Sequence, residues 1–241
     1  MISFKPTDEE VAFTSIAQKI ATDIRKQARK IEQDPLFSRE IMEEIKQIGF
    51  DKMEEPASLG GMELPLLAQV QIYAALAYGD LAVVQSIPGL ADGASLFRVM
   101  DEDSIPRSIK RSLQEEGRNL AFIDEMDVMN QSLHLRKEGD VFILNGKTIP
   151  VRLAKIANHL LIAIRDRLGQ EFRMILDRDN HPWEVLEETY YLGLQEAQLA
   201  SLSFKDIALS SSQVLAFGRE AREILRKYKG RMYLLQAAKQ Q

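Results

Sequence analysis

Few side chains in this 241-residue sequence have the types and spacing of a catalytic or metal site. The three histidines, His134, His159 and His181, are scattered and lack the i, i+4 or paired spacing of metal ligands, so we expect strand-surface or turn positions and no metal. The sequence has no cysteine, which excludes disulfides, thiol nucleophiles, zinc-thiolate sites and iron–sulfur clusters. Glu220 and Glu223 lie in a basic, solvated segment, which disfavours both as catalytic bases.

Charge and hydropathy narrow the classes of partner. The net charge of −5 and the pI of about 5.4 give no electrostatic reason to bind nucleic acid or an acidic membrane. No segment approaches the ~20 apolar residues of a membrane span, and the N-terminus lacks the apolar core of a signal peptide. We therefore predict a cytoplasmic protein with no nucleic-acid partner and no membrane span.

Helix signals fill the first half of the chain. Thr7 and Glu10 have the spacing of a capping box ahead of a long segment with apolar residues at helical intervals. Ser38 is of a residue type that can cap the start of a second helix, and Gly49 can end that helix with a left-handed conformation. Residues 64–100 contain two segments that are apolar on more than one face, which indicates two helices central to the core.

The apolar periodicity changes at Gly117. Before it, Asp103 or Ser104 can cap one more helix, with Pro106 in an early helical position and Gly117 at the end. After it, apolar residues recur with a period of about two in short runs, which predicts antiparallel strands. The predicted strands are residues 120–123, 133–136, 141–144, 159–164, 172–176, 183–186 and 199–207.

The last segment has the pattern of a basic amphipathic helix. Residues 213–241 carry a net charge of +5, against −10 for the rest of the chain. Three roles are open: the helix folds back onto the helical domain, pairs with another subunit, or, less favourably, binds a membrane surface or nucleic acid. Pairing would give a homo- or hetero-oligomer through Phe217, Ile224, Tyr228, Met232 and Leu235.

These patterns predict an α+β fold in three parts. Residues 1–117 form an all-helical N-terminal domain, and residues 118–211 form a middle domain, an antiparallel β-barrel or sandwich. Residues 212–241 form one long C-terminal amphipathic helix. Trp183 is expected to be a buried anchor on a strand.

Four strings resemble one enzyme family in sequence and in order. They are EEPASLGGMEL at 54–64, LAYGDLA at 76–82, AFIDEMDVMN with NGKTIPVRLAKIAN within 121–158, and YLGLQEAQLASLSFKDIAL at 191–209. Together they resemble the acyl-CoA dehydrogenase family, FAD-dependent oxidoreductases that act on CH–CH bonds. The resemblance implies the family's N-terminal helical domain and middle β-domain. It does not extend to the C-terminal four-helix domain that completes the FAD and substrate sites and drives tetramer formation.

The resemblance also indicates which residues occupy the family's flavin positions. They are Phe122, Ile123, Met129, Pro150, Val151 and Arg152. Ile123 replaces a hydrogen-bonding threonine, Met129 replaces the serine of a Gly-Ser-Asp string, and Pro150 replaces the tryptophan that covers the flavin. Arg152 replaces a second threonine. These replacements imply that the isolated chain binds no FAD.

No catalytic base is expected at a family position. Where the family can place a glutamate before an arginine, this chain has Gly230 before Arg231. The resemblance therefore implies a non-catalytic or accessory subunit that is inactive alone. The alternative is half of a split or heteromeric FAD-dependent acyl-CoA dehydrogenase, whose partner supplies the C-terminal helices and the base. Acyl-thioester binding is possible under both of these hypotheses. A third possibility is that the chain is a fragment of a longer reading frame.

Overall fold

The computed structural model describes residues 6–33, 35–126, 132–186 and 194–240. Within these ranges six helices precede eight strands and a seventh helix follows, which confirms the predicted α+β class. The helices are α1 (Asp8–Gln33), α2 (Pro35–Ile48), α3 (Leu66–Gly79), α4 (Leu81–Gln85), α5 (Ala91–Val99), α6 (Arg107–Gln114) and α7 (Gly218–Lys239). The strands are β1 (Leu120–Asp124), β2 (Leu133–Glu138), β3 (Val141–Lys147), β4 (His159–Arg165), β5 (Glu171–Asp177), β6 (Glu184–Leu186), β7 (Ser201–Leu209) and β8 (Val214–Phe217). None of the described helices combines the length and apolar character needed to cross a bilayer.

The first helix begins at the predicted capping box. Thr7 N donates to Glu10 Oε2 (2.7 Å) and Glu10 N donates to Thr7 Oγ1 (3.2 Å), which satisfies two amides at the start of the helix. α2 begins at Pro35 rather than after Ser38, because proline fits a first helical position that needs no amide proton. As predicted, Gly49 ends α2 with a positive φ of 88°.

The six helices before β1, α1 to α6, form the helical part of the molecule, and prolines interrupt it at two places. Pro88 follows α4, so the second of the two predicted central helices is two helices, α4 and α5. Pro106 itself is the N-cap of α6, and no side chain caps that helix. The predicted caps, Asp103 and Ser104, instead form a 3-10 turn whose own cap is Asp101. The extended residue before Pro106 separates this turn from α6, because residues that precede proline disfavour helical angles.

The strands form two four-stranded sheets that pack face to face. One sheet has the order β1-β4-β5-β8 and the other has the order β2-β3-β7-β6. This is a sandwich, and the described strands close no barrel. The prediction of antiparallel pairing throughout is wrong for β1 and β4, which are parallel with Leu120 opposite His159. The chain passes through β2 and β3 of the second sheet before β4 returns beside β1, a crossover that permits parallel pairing.

Three apolar cores hold these layers together. The first lies between the two sheets and includes Trp183, whose predicted burial is confirmed. The second lies between the outer face of the β1-β4-β5-β8 sheet and helices α5, α6 and α7. The third lies among α1, α2, α3 and α4.

The C-terminal helix packs onto its own chain. It begins at Gly218 rather than near residue 212, because the preceding residues form β8, an edge strand that the periodicity did not predict. Its apolar stripe contacts α3, α5, β5 and β8. The predicted interface through Ile224, Tyr228, Met232 and Leu235 is therefore wrong, because all four side chains are buried in the second core. Phe217, the fifth residue of that prediction, is 57% exposed.

Candidate functional site

Five of the six residues that the resemblance assigns to the flavin meet at one cleft. They are Phe122 and Ile123 on β1, and Pro150, Val151 and Arg152 on the loop that follows β3. The cleft has a volume of about 180 Å³, which is below the roughly 300 to 1,000 Å³ of typical small-molecule sites. Met129, the sixth, lies outside the described residues.

Hydrogen bonds to the segment at β7 fix the loop that follows β3. Val151 N donates to Ala200 O (2.9 Å), and Thr148 N donates to Leu202 O (2.9 Å). Leu202 N in turn donates to Thr148 Oγ1 (2.9 Å). Immediately after Arg152, Leu153 adopts a φ of 62°, a conformation that bulky residues rarely take. The backbone on both sides of Arg152 is thus constrained, and the direction of its side chain is set.

Arg152 spans the space between the β-sheets and the helical part. Its Nη2 lies 2.8 Å from Asp92 Oδ1 and its Nε donates to Asp92 Oδ2 (3.1 Å), a two-point contact with α5. Its Nη1 donates to Gln85 O (2.7 Å), the last carbonyl group of α4. The guanidinium therefore joins the loop to the ends of two helices.

A second cation lies near the Arg152–Asp92 pair. Lys239 is buried near the end of α7, and its Nζ lies 4.5 Å from the centre of the Tyr73 ring. Burial lowers the pKa of Lys239 to about 8, and the Asp92 carboxylate opposes that decrease. Burial would raise the pKa of Asp92, but Arg152 and Lys239 outweigh it and hold that pKa below its ordinary value. Asp92 is consequently ionised at neutral pH.

The β1 side of the cleft is occupied by packing against α7. The rings of Phe122 and Tyr228 have their centres 4.9 Å apart, and Lys229 Nζ lies 3.3 Å from Asp124 Oδ2. Ile123 is buried in the core between the sheets. Phe122 and Ile123 thus serve packing, and neither side chain can donate a hydrogen bond into the cleft.

A buried carboxylate cluster elsewhere in the molecule has no counterpart in the sequence-based predictions. Glu54 is 5% exposed, and its carboxylate accepts hydrogen bonds from Gln69 Nε2 (2.6 Å), Ser95 Oγ, and Arg231 Nε and Nη2 (2.7 Å for Nη2). Arg98 Nη1 lies 3.5 Å from Glu54 Oε2. Arg231, which follows the position that the resemblance links to a catalytic base (Gly230), therefore attaches α7 to the helical part.

Two further carboxylates border a cleft of about 500 Å³ between the helical part and the start of β1. Glu55 is 5% exposed and accepts a hydrogen bond from Leu90 N (3.0 Å), and burial raises its pKa to about 7. Burial also raises the pKa of Asp51, whose Oδ1 has no hydrogen-bond partner among the described residues. At mildly acidic pH the folded protein therefore holds a proton on Glu55.

Stability is expected to fall as the pH rises from about 4.5 to about 7. The folded state retains the Glu55 proton up to a pKa of about 7, whereas the unfolded chain loses it near 4.5, so the unfolded state binds fewer protons in this window. The slope is on the order of 1 kcal/mol per pH unit. Urea unfolding midpoints across the window measure it, and Glu55→Gln should remove most of it and leave the smaller contribution of Asp51. An unchanged slope in Glu55→Gln contradicts this assignment.

The three histidines do not come together. His134 is exposed on β2 and His181 lies in the turn region after β5, as predicted, but His159 is buried because β4 is covered on both faces. No cluster of metal-binding side chains occurs in the part of the chain that the structure describes. Glu220 and Glu223 are exposed on α7, and neither lines the cleft that contains Arg152.

Sequence comparison identifies a domain in the helical part. Residues 7–118 match the family described as "Acyl-CoA dehydrogenase, N-terminal domain". No curated protein matches the sequence closely enough to be counted. The match covers helices α1 to α6.

Comparison with solved structures extends the likeness to the sheets. The Podospora anserina nitroalkane oxidase matches with a TM-score of 0.78 at 14% identity, over 99% of this chain and 66% of its own. An acyl-CoA dehydrogenase complexed with FAD from Bacillus anthracis matches with a TM-score of 0.73 at 13% identity, over 99% of this chain and 43% of its own. A structure described as an FAD-dependent dehydrogenase matches with a TM-score of 0.71 at 19% identity, over 97% and 63%. The chain spans less than two thirds of each, and at these identities the likeness establishes the fold alone.

Proposed function

We propose that this acyl-CoA dehydrogenase-like chain, whose residues 7–118 match the N-terminal domain of that family, is a non-catalytic, accessory subunit. In this proposal the isolated chain holds no FAD and does not dehydrogenate an acyl thioester. The observation that carries the proposal is the contact of Arg152 with Asp92 and Gln85 at the cleft that the resemblance assigns to the flavin.

The Arg152 contact supports the proposal because it is costly to open. A flavin ring that entered the cleft would have to displace the guanidinium, which would leave the Asp92 carboxylate and the Gln85 carbonyl oxygen without their donor. The loop could not easily follow, since its bonds to Ala200 and Leu202 hold it in place.

The other residues of the cleft do not suit an isoalloxazine ring. Such a ring needs a flat apolar surface against its face and hydrogen-bonding groups at its edge. Pro150 offers no aromatic face and Ile123 has no donor, while Thr148 is buried and its hydroxyl oxygen is held by the bond from Leu202 N. We therefore assign no cofactor and no cofactor-dependent step to this chain.

The protein purified alone is expected to be colourless. Its visible absorption spectrum should lack flavin bands, and equilibrium dialysis against FAD should leave less than stoichiometric flavin on the protein, because Arg152 and Asp92 stay paired. Flavin released from the protein by denaturation is the quantitative check. One flavin per chain in the isolated protein would overturn the proposal.

A flavin site completed by a partner is the alternative. Three large apolar side chains at or near α7 remain exposed, Phe217 at 57%, Tyr233 at 64% and Leu234 at 54%, and exposed apolar surface often marks an interface. In this case a second chain supplies the helices and catalytic base of a split or heteromeric FAD-dependent dehydrogenase. Flavin absorption would then accompany the complex alone, and Leu234→Lys would lower its flavin content. A colourless complex argues against this alternative.

A further inference from the structure

A serine and a histidine meet at a second cleft, which none of the flavin positions lines. Ser112 on α6 and His159 at the start of β4 both border a cleft of about 440 Å³, a volume typical of small-molecule sites. Ser112 Oγ and His159 Nε2 are 2.9 Å apart, which is hydrogen-bond distance. The wall of the cleft also includes Ser108, Ile109, Asp177, Asn180, His181 and Gln213.

The neighbours of His159 determine which of its nitrogens carries the proton. His159 Nδ1 lies 3.3 Å from Asn158 Oδ1. That oxygen also accepts from Asn119 N (2.8 Å), and Asn158 Nδ2 donates to Gly117 O (3.3 Å), so the orientation of the amide follows from its bonds. An amide oxygen only accepts, which places the imidazole proton on Nδ1 and leaves Nε2 to accept from the Ser112 hydroxyl.

The imidazole is held in its neutral form. Burial lowers the pKa of His159, and the nearby Arg118 guanidinium lowers it as well. Asp177, Glu115 and Asp179 act in the opposite direction without outweighing those two effects. A neutral imidazole with a free lone pair on Nε2 is the form that accepts a proton from a hydroxyl group.

Regular elements carry both side chains. His159 is paired in the sheet, opposite Leu120 of β1 and Asp177 of β5, and its N donates to Asn119 O (3.1 Å). Ser112 lies in the last turn of α6. Groups that are held by helices and strands keep their relative geometry better than groups on loops.

The charge of the cleft selects among substrates. Burial would raise the pKa of Asp177, but hydrogen bonds from Asn180 and from the backbone of Asp179 outweigh it, so this carboxyl group is ionised. An anionic substrate would be repelled by it. Ile109 adds an apolar surface to the same wall. The cleft therefore favours a small neutral molecule.

We propose that Ser112 and His159 are the nucleophile and the general base of an esterase site for small, neutral carboxylic esters. Ser112 Oγ bonds to the ester carbonyl carbon while His159 Nε2 takes the hydroxyl proton, and Nε2 then gives that proton to the departing alkoxide as the C–O bond breaks. Water, deprotonated by the same nitrogen, cleaves the acyl-serine to a carboxylic acid and restores Ser112. Gln213 carries an amide that can donate to the oxyanion, and Asn158 is a positioning residue.

The test is acylation of the full chain by 4-nitrophenyl acetate. We expect an initial release of one 4-nitrophenolate per chain and one acetyl group on Ser112 by peptide mass mapping. Ser112→Ala should abolish both, and His159→Gln should slow acylation at least about 100-fold, since general-base catalysis contributes factors of this size or more. The rate should rise with pH through a group whose pKa lies below the ordinary histidine value, given the surrounding charges of Arg118, Asp177, Glu115 and Asp179.

Ser15→Ala is the matched control, because Ser15 is an exposed helical serine on α1 and does not line this cleft. It should leave acylation within about twofold of the wild type. Circular dichroism verifies that each variant is folded. If His159→Gln does not fold, the comparison of Ser112→Ala with the wild type tests the proposal by itself. An acetyl group found elsewhere, unreacted wild-type protein, or equal rates in Ser112→Ala and wild type would overturn the proposal. The outcome is independent of flavin binding.

Discussion

Replacing Glu54 by leucine is expected to lower the free energy of unfolding by about 3–5 kcal/mol, the usual cost of removing one partner from a buried ion pair. Glu54 is the shared acceptor of Gln69, Ser95 and Arg231, and it lies beside Arg98. Without its charge the two guanidinium groups repel each other, and burial together with the field of Arg231 already lowers the pKa of Arg98. The loss should appear as a lower urea midpoint.

Glu63→Gln is the control for this prediction. Glu63 also pairs with Arg98, at 3.5 Å, but its side chain is 46% exposed. An exposed pair contributes about 0–1 kcal/mol, so this variant should unfold close to the wild type. The double variant Glu54→Leu/Arg231→Leu should recover part of the loss, because it removes one unpaired cation. Equal losses in the Glu54 and Glu63 variants would contradict the role of burial.

Replacing Gly79 by alanine is expected to destabilise the protein by about 1–3 kcal/mol, the range for overpacked sites. Gly79 is the last residue of α3, where that helix crosses α1. A Cβ at this position would lie 2.7 Å from Ala21 O and 2.9 Å from Ala21 Cα. Both are backbone atoms, so the added methyl group can be accommodated only if one helix moves. The melting temperature and the urea midpoint should both fall.

Gly230→Ala gives the opposite sign from the same substitution. Gly230 lies within α7 and is exposed. A Cβ added there would have open space around it, with no atom of a packed neighbour within 4 Å. Glycine costs a helix interior about 1 kcal/mol relative to alanine, so this variant should be stabilised. A loss of stability in both variants would contradict the assignment of close packing to Gly79 and of helix propensity to Gly230.

The sequence predicted helices and strands well where the residues that determine them lie close together in the chain. The Thr7–Glu10 capping box and Gly49 act within a few residues, and seven strands follow from alternation. The eighth strand, β8, has only four residues, and the sequence pattern assigns it to the C-terminal helix because Phe217, Ala221 and Ile224 recur at helical spacing. The parallel pairing of β1 with β4 depends on the crossover, which alternation does not encode.

The candidate site could be predicted only as a set of positions. Ile123, Pro150 and Arg152, which the resemblance assigns to the flavin, line one cleft. The partner of Arg152 was not predictable, since Asp92 is 60 residues away and nothing in either residue type selects the other. Glu54 and Arg231 are 177 residues apart, and the same holds for them. Burial and charge pairing across layers are properties of the assembled fold.

The packing of α7 has a consequence for how the molecule opens. The same helix covers the outer face of the sheet at β5 and packs against α3, and Arg231 and Lys239 contact Glu54 and Tyr73 in the helical part. Detaching α7 would therefore uncover apolar surface on both sides of it at once. The helices and the sandwich should consequently gain and lose their order cooperatively, as one folding unit instead of two independent modules joined by a tether.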